Sequence, residues 1–320
     1  MGDFRFSFVL LGTSSHAELV ERCQEAERLG YDTVFAADHL GVPAPFPTLV
    51  AAAAATRRLR VGTLVLNAPF WNPALLAREV ATTDLLTDGR LEVGLGAGYV
   101  KWEFDEAGIA WEPFGARADR LEATVDELTR LFAAGGYERQ AALRESYGLP
   151  VLAPVQRRGF AGSGPPLLIG GMGDRTLRIA AERADIVGIA GTLQVKGRPP
   201  GTLRLATAAE TDERVRYARE CAGARADRIE WQTLVQMVRR TDDRRAVAEE
   251  LSTRYDGALS AEEVLDTPFV LIGTVEEMAE RILRDRERYG FTYYTVHAPF
   301  IEEFAPVIER VRALTRGRHG

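Results

Sequence analysis

Cysteine is almost missing from this chain: two residues in 320, Cys23 and Cys221, each inside a helix-like segment. They supply neither a disulfide framework nor a thiolate metal cluster. Histidine is scarce too, and the four present have no metal-ligand spacing. No apolar stretch approaches the eighteen or so residues of a membrane span, and the run at 8–11 is too short for a signal peptide, so a cytoplasmic protein with no membrane partner is expected. An excess of one charge is lacking as well. Forty Lys plus Arg face 46 Asp plus Glu for a formal net charge of -6, and the acids are interspersed with the arginines. That leaves no basic strip for a polyanion, and nucleic acid is excluded as the expected partner. Neither G-x-S-x-G, HExxH nor a Walker GK[ST] occurs, which removes the common nucleophilic, zinc and P-loop chemistries.

What is present is a core and a rhythm. The chain is 46% hydrophobic with 30 Gly and 15 Pro, a composition that rules out wholesale disorder and low-complexity architecture. Short apolar runs at 4–10, 31–36, 60–66 and 91–95 read as strands. Helical periodicity follows them at 17–29, 47–56, 73–86 and 114–133. Gly30 suits the C-terminal cap of the first helix, and Asn72-Pro73 the N-terminal cap of the third. Strands that are apolar without clean alternation, spaced about thirty residues apart and each leading to an amphipathic helix, are parallel strands buried on both faces.

The rhythm pauses at about 135–165 and again at about 190–210, both read as insertions. Between and after them come strands at 167–170 and 186–189, helices at 175–183 and 211–223, and a strand candidate at 229–238 broken by polar residues. Helices at 246–255, 261–265 and 275–288, a strand at 292–296 and a helix at 301–314 complete the chain. About eight strands at this length predict an α/β fold, a (β/α)8 TIM barrel with insertions, in one domain over 1–320.

A barrel of this kind builds its active site at the C-terminal strand ends. After the second strand come Asp38 and His39. His39 is a proton donor or acceptor near neutral pH, with a loop cap on the second helix as the plain alternative. His16 is placed at the start of the first helix, His297 after the last strand, and His319 in the tail. GLGAG at 94–98 looks like a dinucleotide fingerprint, but YVKWEFDEAG follows it instead of an apolar helix, so a Rossmann reading is weak. Its glycines suit either a barrel corner or the close approach of a bulky group.

Ile169-Gly170-Gly171-Met172-Gly173-Asp174-Arg175 precedes a helix whose first N–H groups are unpaired, an anion site to which Arg175 would add charge; the alternative is an ordinary loop capped by Asp174. With few acid-base residues and an aromatic loop of Tyr99, Trp102, Phe104, Trp111 and Phe114, the chain reads as an enzyme whose chemistry comes from a bound cofactor.

Five segments carry a resemblance. They are LGYDTVFAADHL (29–40), RLRVGTLVLNAPFWNPALLAREVATTDLLTDGRLEVGLGAGY (58–99), PFGARADRLEATVDEL (113–128), IGGMGDRTLRIAAERADIVG (169–188) and GTVEEMAERI (273–282). In order and spacing the chain is similar to the luciferase-like family of flavin- or deazaflavin-dependent oxidoreductases, and within it to the coenzyme F420-dependent branch. The resemblance implies an insertion-bearing barrel, a homodimer and a small-molecule substrate. Asp38 and His39 would lie close to the deazaflavin. A non-prolyl cis bond at Val65-Leu66 would back its ring, and Asn67 would meet its pyrimidine edge. Ala97, Gly98 and Tyr99 match the loop after the fourth strand, and Gly170, Gly171, Met172 and Gly173 the phosphate site.

The catalytic residues so implied are His39 and Tyr99, with Trp71, Trp102 and Trp111 as candidate walls of the substrate cavity. Sugar-phosphate dehydrogenases of this branch place a carboxylate where Tyr99 stands, so their acid and their substrate do not carry over. FMN is the alternative cofactor, in a monooxygenase on the same barrel; a non-catalytic cofactor-binding homolog is the third reading.

Overall fold

A computed structural model describes residues 3–137, 139, 141–254 and 258–316; the expected end of one helix at Tyr255, and His319, lie outside them. Eight parallel strands close into a barrel: β1 (Arg5–Leu10), β2 (Thr33–Ala36), β3 (Arg60–Thr63, continued after a break by Leu66–Asn67), β4 (Leu91–Gly96), β5 (Leu167–Gly171), β6 (Ile186–Ile189), β7 (Glu230–Val235) and β8 (Phe291–His297). Around the barrel the order is β3-β2-β1-β8-β7-β6-β5-β4, and pairing of β4 with β3 closes the ring. The strands are mostly apolar because both faces are covered. Val9, Phe35, Leu168, Ile186 and Tyr293 fill the interior, and helices cover the outside.

Several helices begin where a side chain satisfies their orphan N–H groups. Ser15 caps His16–Arg28, which places His16 at its first residue. Asn72 accepts from the amides of Ala74 and Leu75 at the start of Pro73–Leu86. Thr207, Ser260 and Thr274 form reciprocal capping boxes with Glu210, Glu263 and Glu277. Among the described residues no helix is long and apolar enough to cross a membrane.

Departures from the expected pattern are local. The strand candidate at 229–238 splits at Gln236, whose amide bonds the Phe269 carbonyl at 2.8 Å. Its second half, Met237–Arg240, pairs instead with Val270–Gly273, a strand the sequence reading does not contain. The segment after β6 carries an antiparallel hairpin, Thr192–Gln194 with Leu203–Leu205, and the next helix starts at Ala208, inside the expected insertion boundary. Between Gly135 and Pro165 lie the helix Ala141–Tyr147 and the turn Phe160–Gly162.

The N-terminal end of the barrel is plugged by charge. The Glu92 carboxylate, 1% exposed, accepts from Arg60 Nε at 2.6 Å and from Arg5, which also bonds Glu230 at 2.8 Å and lies over the Tyr293 ring. These two arginines hold Glu92 below the usual carboxylate range despite its burial. The open end of the barrel is therefore the opposite one.

A second buried carboxylate carries a pH signature. Asp285, 2% exposed, bonds Arg281 at 2.7 Å, but its Oδ2 is buried without a partner and burial pushes the carboxyl up to about 6 from 3.8. A folded-state value above the unfolded one means that this group's contribution to stability is fully present below pH 4 and is lost as pH rises through 6. At 1.36 kcal/mol per pH unit the loss is about 3 kcal/mol. In urea unfolding from pH 4 to 7, Asp285→Asn should gain about that much relative to the parent. Parallel pH curves for the two proteins would refute it.

Candidate functional site

At the C-terminal end of the barrel a cleft of about 1210 Å³ opens, lined by the two expected catalytic residues and all the expected cofactor-binding residues. Asp38 and His39 lie after β2, Val65, Leu66 and Asn67 at the break in β3, Ala97, Gly98 and Tyr99 after β4, and Gly170, Gly171, Met172 and Gly173 at the end of β5. Of the three tryptophans, Trp111 lines the cleft. Trp71 instead donates its Nε1–H to Asp38 at 2.9 Å, and Trp102 is exposed.

His39 and Asp38 are held in different ways. The Asp38 Oδ2 accepts from Trp71 and from the Asn67 amide at 3.0 Å, so this carboxylate ties the end of β2 to the break in β3. The partner of His39 is Glu103. His39 Nδ1 lies 2.9 Å from Glu103 Oε1, which also accepts from the Leu40 amide at 3.3 Å. A carboxylate only accepts, so Nδ1 carries a proton and donates it, and Nε2 is the nitrogen left free to exchange a proton with a substrate. Glu103, 3% exposed, escapes the sequence reading because its short helix, Lys101–Glu106, has no side-chain cap to announce it. The usable signal was a carboxylate four residues beyond Tyr99.

The Tyr99 ring stands edge-on to His39 with centroids 6.0 Å apart, and the residue is 50% exposed. Burial of its hydroxyl, with Glu103 nearby, raises the phenol pKa above 10, so at neutral pH Tyr99 is a hydrogen-bond donor and not a base.

The break in β3 corrects one expectation. The cis bond is Leu64-Val65, one residue earlier than Val65-Leu66. The β3 ladder ends at Thr63 instead of running to residue 66, and Leu64 makes the last bond, to the Ala36 carbonyl at 2.9 Å. The glycines of GLGAG answer to this bulge. A Cβ on Gly94 would lie 2.0 Å from the Thr63 carbonyl oxygen, and one on Gly96 2.7 Å from Val65. Gly98 has φ +74°, and a Cβ there would press on Asn67 Oδ1. That Oδ1 is buried without a hydrogen-bond partner, in a residue that lines the cleft, an acceptor for which the protein supplies no donor.

At the other end of the cleft the glycines at 170–173 lead into the helix Asp174–Arg183. Arg175 adds no charge to the cleft, contrary to expectation, because its guanidinium is bound by Asp119 and Glu122, each at 2.7 Å. Arg117 lines the cleft instead. It is 6% exposed, stacked 3.6 Å over Trp111 beside Phe104 and Phe114, with Nε unpartnered and no carboxylate within 4 Å among the described residues. Burial lowers its pKa while Glu112 opposes, yet a guanidinium stays charged. A glycine-lined helix start, the Thr176 hydroxyl side chain and a guanidinium that bonds the Glu112 carbonyl at 2.5 Å but pairs with no carboxylate among the described residues fit an anionic group. The orphaned Asn67 oxygen and the Leu64–Val65 wall fit a flat ring with N–H donors.

The chain is 32% identical over 126 residues to the oxygenase component of flavin-dependent trigonelline monooxygenase from Acinetobacter baylyi, covering 38% of this chain and 34% of that protein. It is 29% identical over 256 residues to an F420-dependent glucose-6-phosphate dehydrogenase from Nakamurella multipartita, covering 76% of this chain and 69% of that one. The first curated relatives are matched over little more than a third of their length. An F420-dependent secondary alcohol dehydrogenase shares the fold, with TM-score 0.70 at 17% identity over 97% of this chain and 99% of that chain. The sequence model of the luciferase-like monooxygenase family matches residues 5–293, so the chain belongs to the luciferase-like monooxygenase family.

Proposed function

We propose that the protein is a coenzyme F420-dependent oxidoreductase acting on a small organic substrate. The observation that carries the reading is the His39–Glu103 pair, which presents a proton-accepting Nε2 to a cleft whose far end is built for an anion. Coenzyme F420, when bound, supplies two-electron redox chemistry. The chain's own residues do the rest. Gly170, Gly171, Gly173, Thr176 and Arg117 hold the phosphate, and Asn67 accepts an N–H from the ring edge. His39 takes a proton from a substrate hydroxyl at Nε2, or returns it in the reverse direction, while Glu103 stabilises the imidazolium through Nδ1–H. Tyr99 donates a hydrogen bond to developing negative charge on the substrate oxygen. Trp111 and the apolar cleft wall limit water at the reacting centre.

FMN is the competing cofactor, and the flavin-dependent relative from Acinetobacter baylyi supports it. Titration of the purified protein with coenzyme F420 and FMN side by side, followed by absorbance and fluorescence, decides between them. The expected result is binding of coenzyme F420 at least about tenfold tighter than FMN. Tighter binding of FMN would overturn the F420 reading, and binding of neither would overturn the cofactor site.

A further inference from the structure

His297 ends β8 and Gln236 follows β7, its neighbour in the barrel. His297 Nε2 lies 3.3 Å from Gln236 Oε1. The Gln236 amide nitrogen lies 3.5 Å from the Ala190 carbonyl, which can only accept, so the amide oxygen is the atom that faces the imidazole. His297 Nε2 therefore carries the proton and donates it. Burial draws the ring's pKa below the usual histidine value, which keeps it neutral at pH 7 and leaves Nδ1 with a free lone pair. No donor among the described residues reaches Nδ1, and that atom is not sealed from solvent. His297 lines the cleft, so this acceptor opens on it.

The surroundings of this acceptor are apolar. Val9 of β1 stands in register with His297 across the strand pair and packs with Leu234, and Leu11 and Leu193 also line the cleft. His39 follows β2, on the other side of β1. Two imidazoles thus flank the end of one strand. The first is hydrogen-bonded to a buried carboxylate, while the second is neutral and fixed in one tautomer by Gln236.

We propose that His297 Nδ1, held by Gln236, is the acceptor that selects a substrate whose otherwise apolar body carries a hydroxyl apart from the one that reacts at His39. The inference rests on the reading of this cleft as the substrate site and deepens it. An acceptor on the wall of an apolar cleft with no protein donor favours a ligand that supplies one, and disfavours an isostere that cannot.

The test uses the full chain labelled with ¹⁵N-histidine, alone and saturated with whichever of coenzyme F420 or FMN binds, and two probes of like shape. Phenol donates a hydrogen bond; fluorobenzene does not. Long-range ¹H–¹⁵N spectra should show His297 as the Nε2–H tautomer, with an Nδ1 resonance that moves on adding phenol and not fluorobenzene. The ratio of phenol to fluorobenzene affinity should fall about fivefold in His297→Phe, the size of one net hydrogen bond. Gln236→Leu keeps the imidazole but releases its tautomer, and should show mixed tautomers with a reduced ratio. An Nδ1–H tautomer in the parent, or an unchanged ratio in both variants, would overturn the proposal. Spectra of the chain alone read the result even where neither cofactor binds, so failure of the cofactor reading stays separate.

Discussion

Replacement of His39 by alanine is expected to lower the rate of the saturated single turnover by about 10²-fold or more, the lower end for a positioned acid-base group. The variant loses the one imidazole whose tautomer is set by a buried carboxylate, Nδ1 to Glu103 at 2.9 Å. Cofactor affinity should change far less. The anion end of the cleft, made by the glycines at 170–173, Thr176 and Arg117, is untouched, and Glu103 keeps the Leu40 amide as a donor. His39→Gln separates two roles for the ring. A glutamine amide can still donate to Glu103 but takes no proton, so a loss as deep as that of alanine marks proton transfer, whereas recovery of the rate marks positioning. The measurement is single-turnover kinetics over a panel of alcohol–ketone pairs, with cofactor affinity followed in parallel. Near-parental transfer in the saturated alanine variant would remove His39 from the chemistry.

Gly173→Asp should weaken binding of a phosphate-bearing cofactor by about 10²-fold while the protein stays folded. Gly173 is the N-cap of Asp174–Arg183, with φ -81° and ψ 147°, a conformation open to any L-residue. A Cβ there meets Phe114 at 3.7 Å, an ordinary contact. Aspartate is a preferred N-cap, so the helix should hold or gain stability. The new carboxylate then occupies the free N–H groups and repels a phosphate a few ångströms away, at an effective cost of several kcal/mol. Gly171 is a poorer site for this test, because a Cβ there would sit 2.8 Å from Thr176 and disturb packing as well as charge. Riboflavin, which lacks the phosphate, serves as the control ring. Its affinity should be nearly the same in parent and variant, and an equal loss for FMN and riboflavin would show that the helix start does not hold phosphate.

The sequence by itself determined the repeated strand–helix unit and the end of the barrel that carries the cleft. Parallel strands covered on both faces must be short and apolar, and helix ends must satisfy their own amides. The limits of Pro73–Leu86 and Phe114–Ala133 therefore follow from local residues such as Asn72, Pro73 and Pro113. The strand-end rule then picks out residues that the fold gathers into one cleft from positions 38 to 173.

What only the tertiary structure decided are partnerships between distant residues. Glu103 meets His39 across 64 positions on a six-residue helix with no capping side chain. Met237–Arg240 leaves the barrel because Val270–Gly273 offers its ladder a partner. Arg175 is neutralised by Asp119 and Glu122, whereas Arg117, on the cleft wall, bonds only the Glu112 carbonyl and meets no carboxylate among the described residues. The cis bond falls at Leu64-Val65 because the β3 ladder stops at Thr63. Periodicity reports which face of an element is buried, a property each segment carries alone. The partner of a charge or of a strand edge is set by where other segments arrive, and a single chain read in order does not contain that distance.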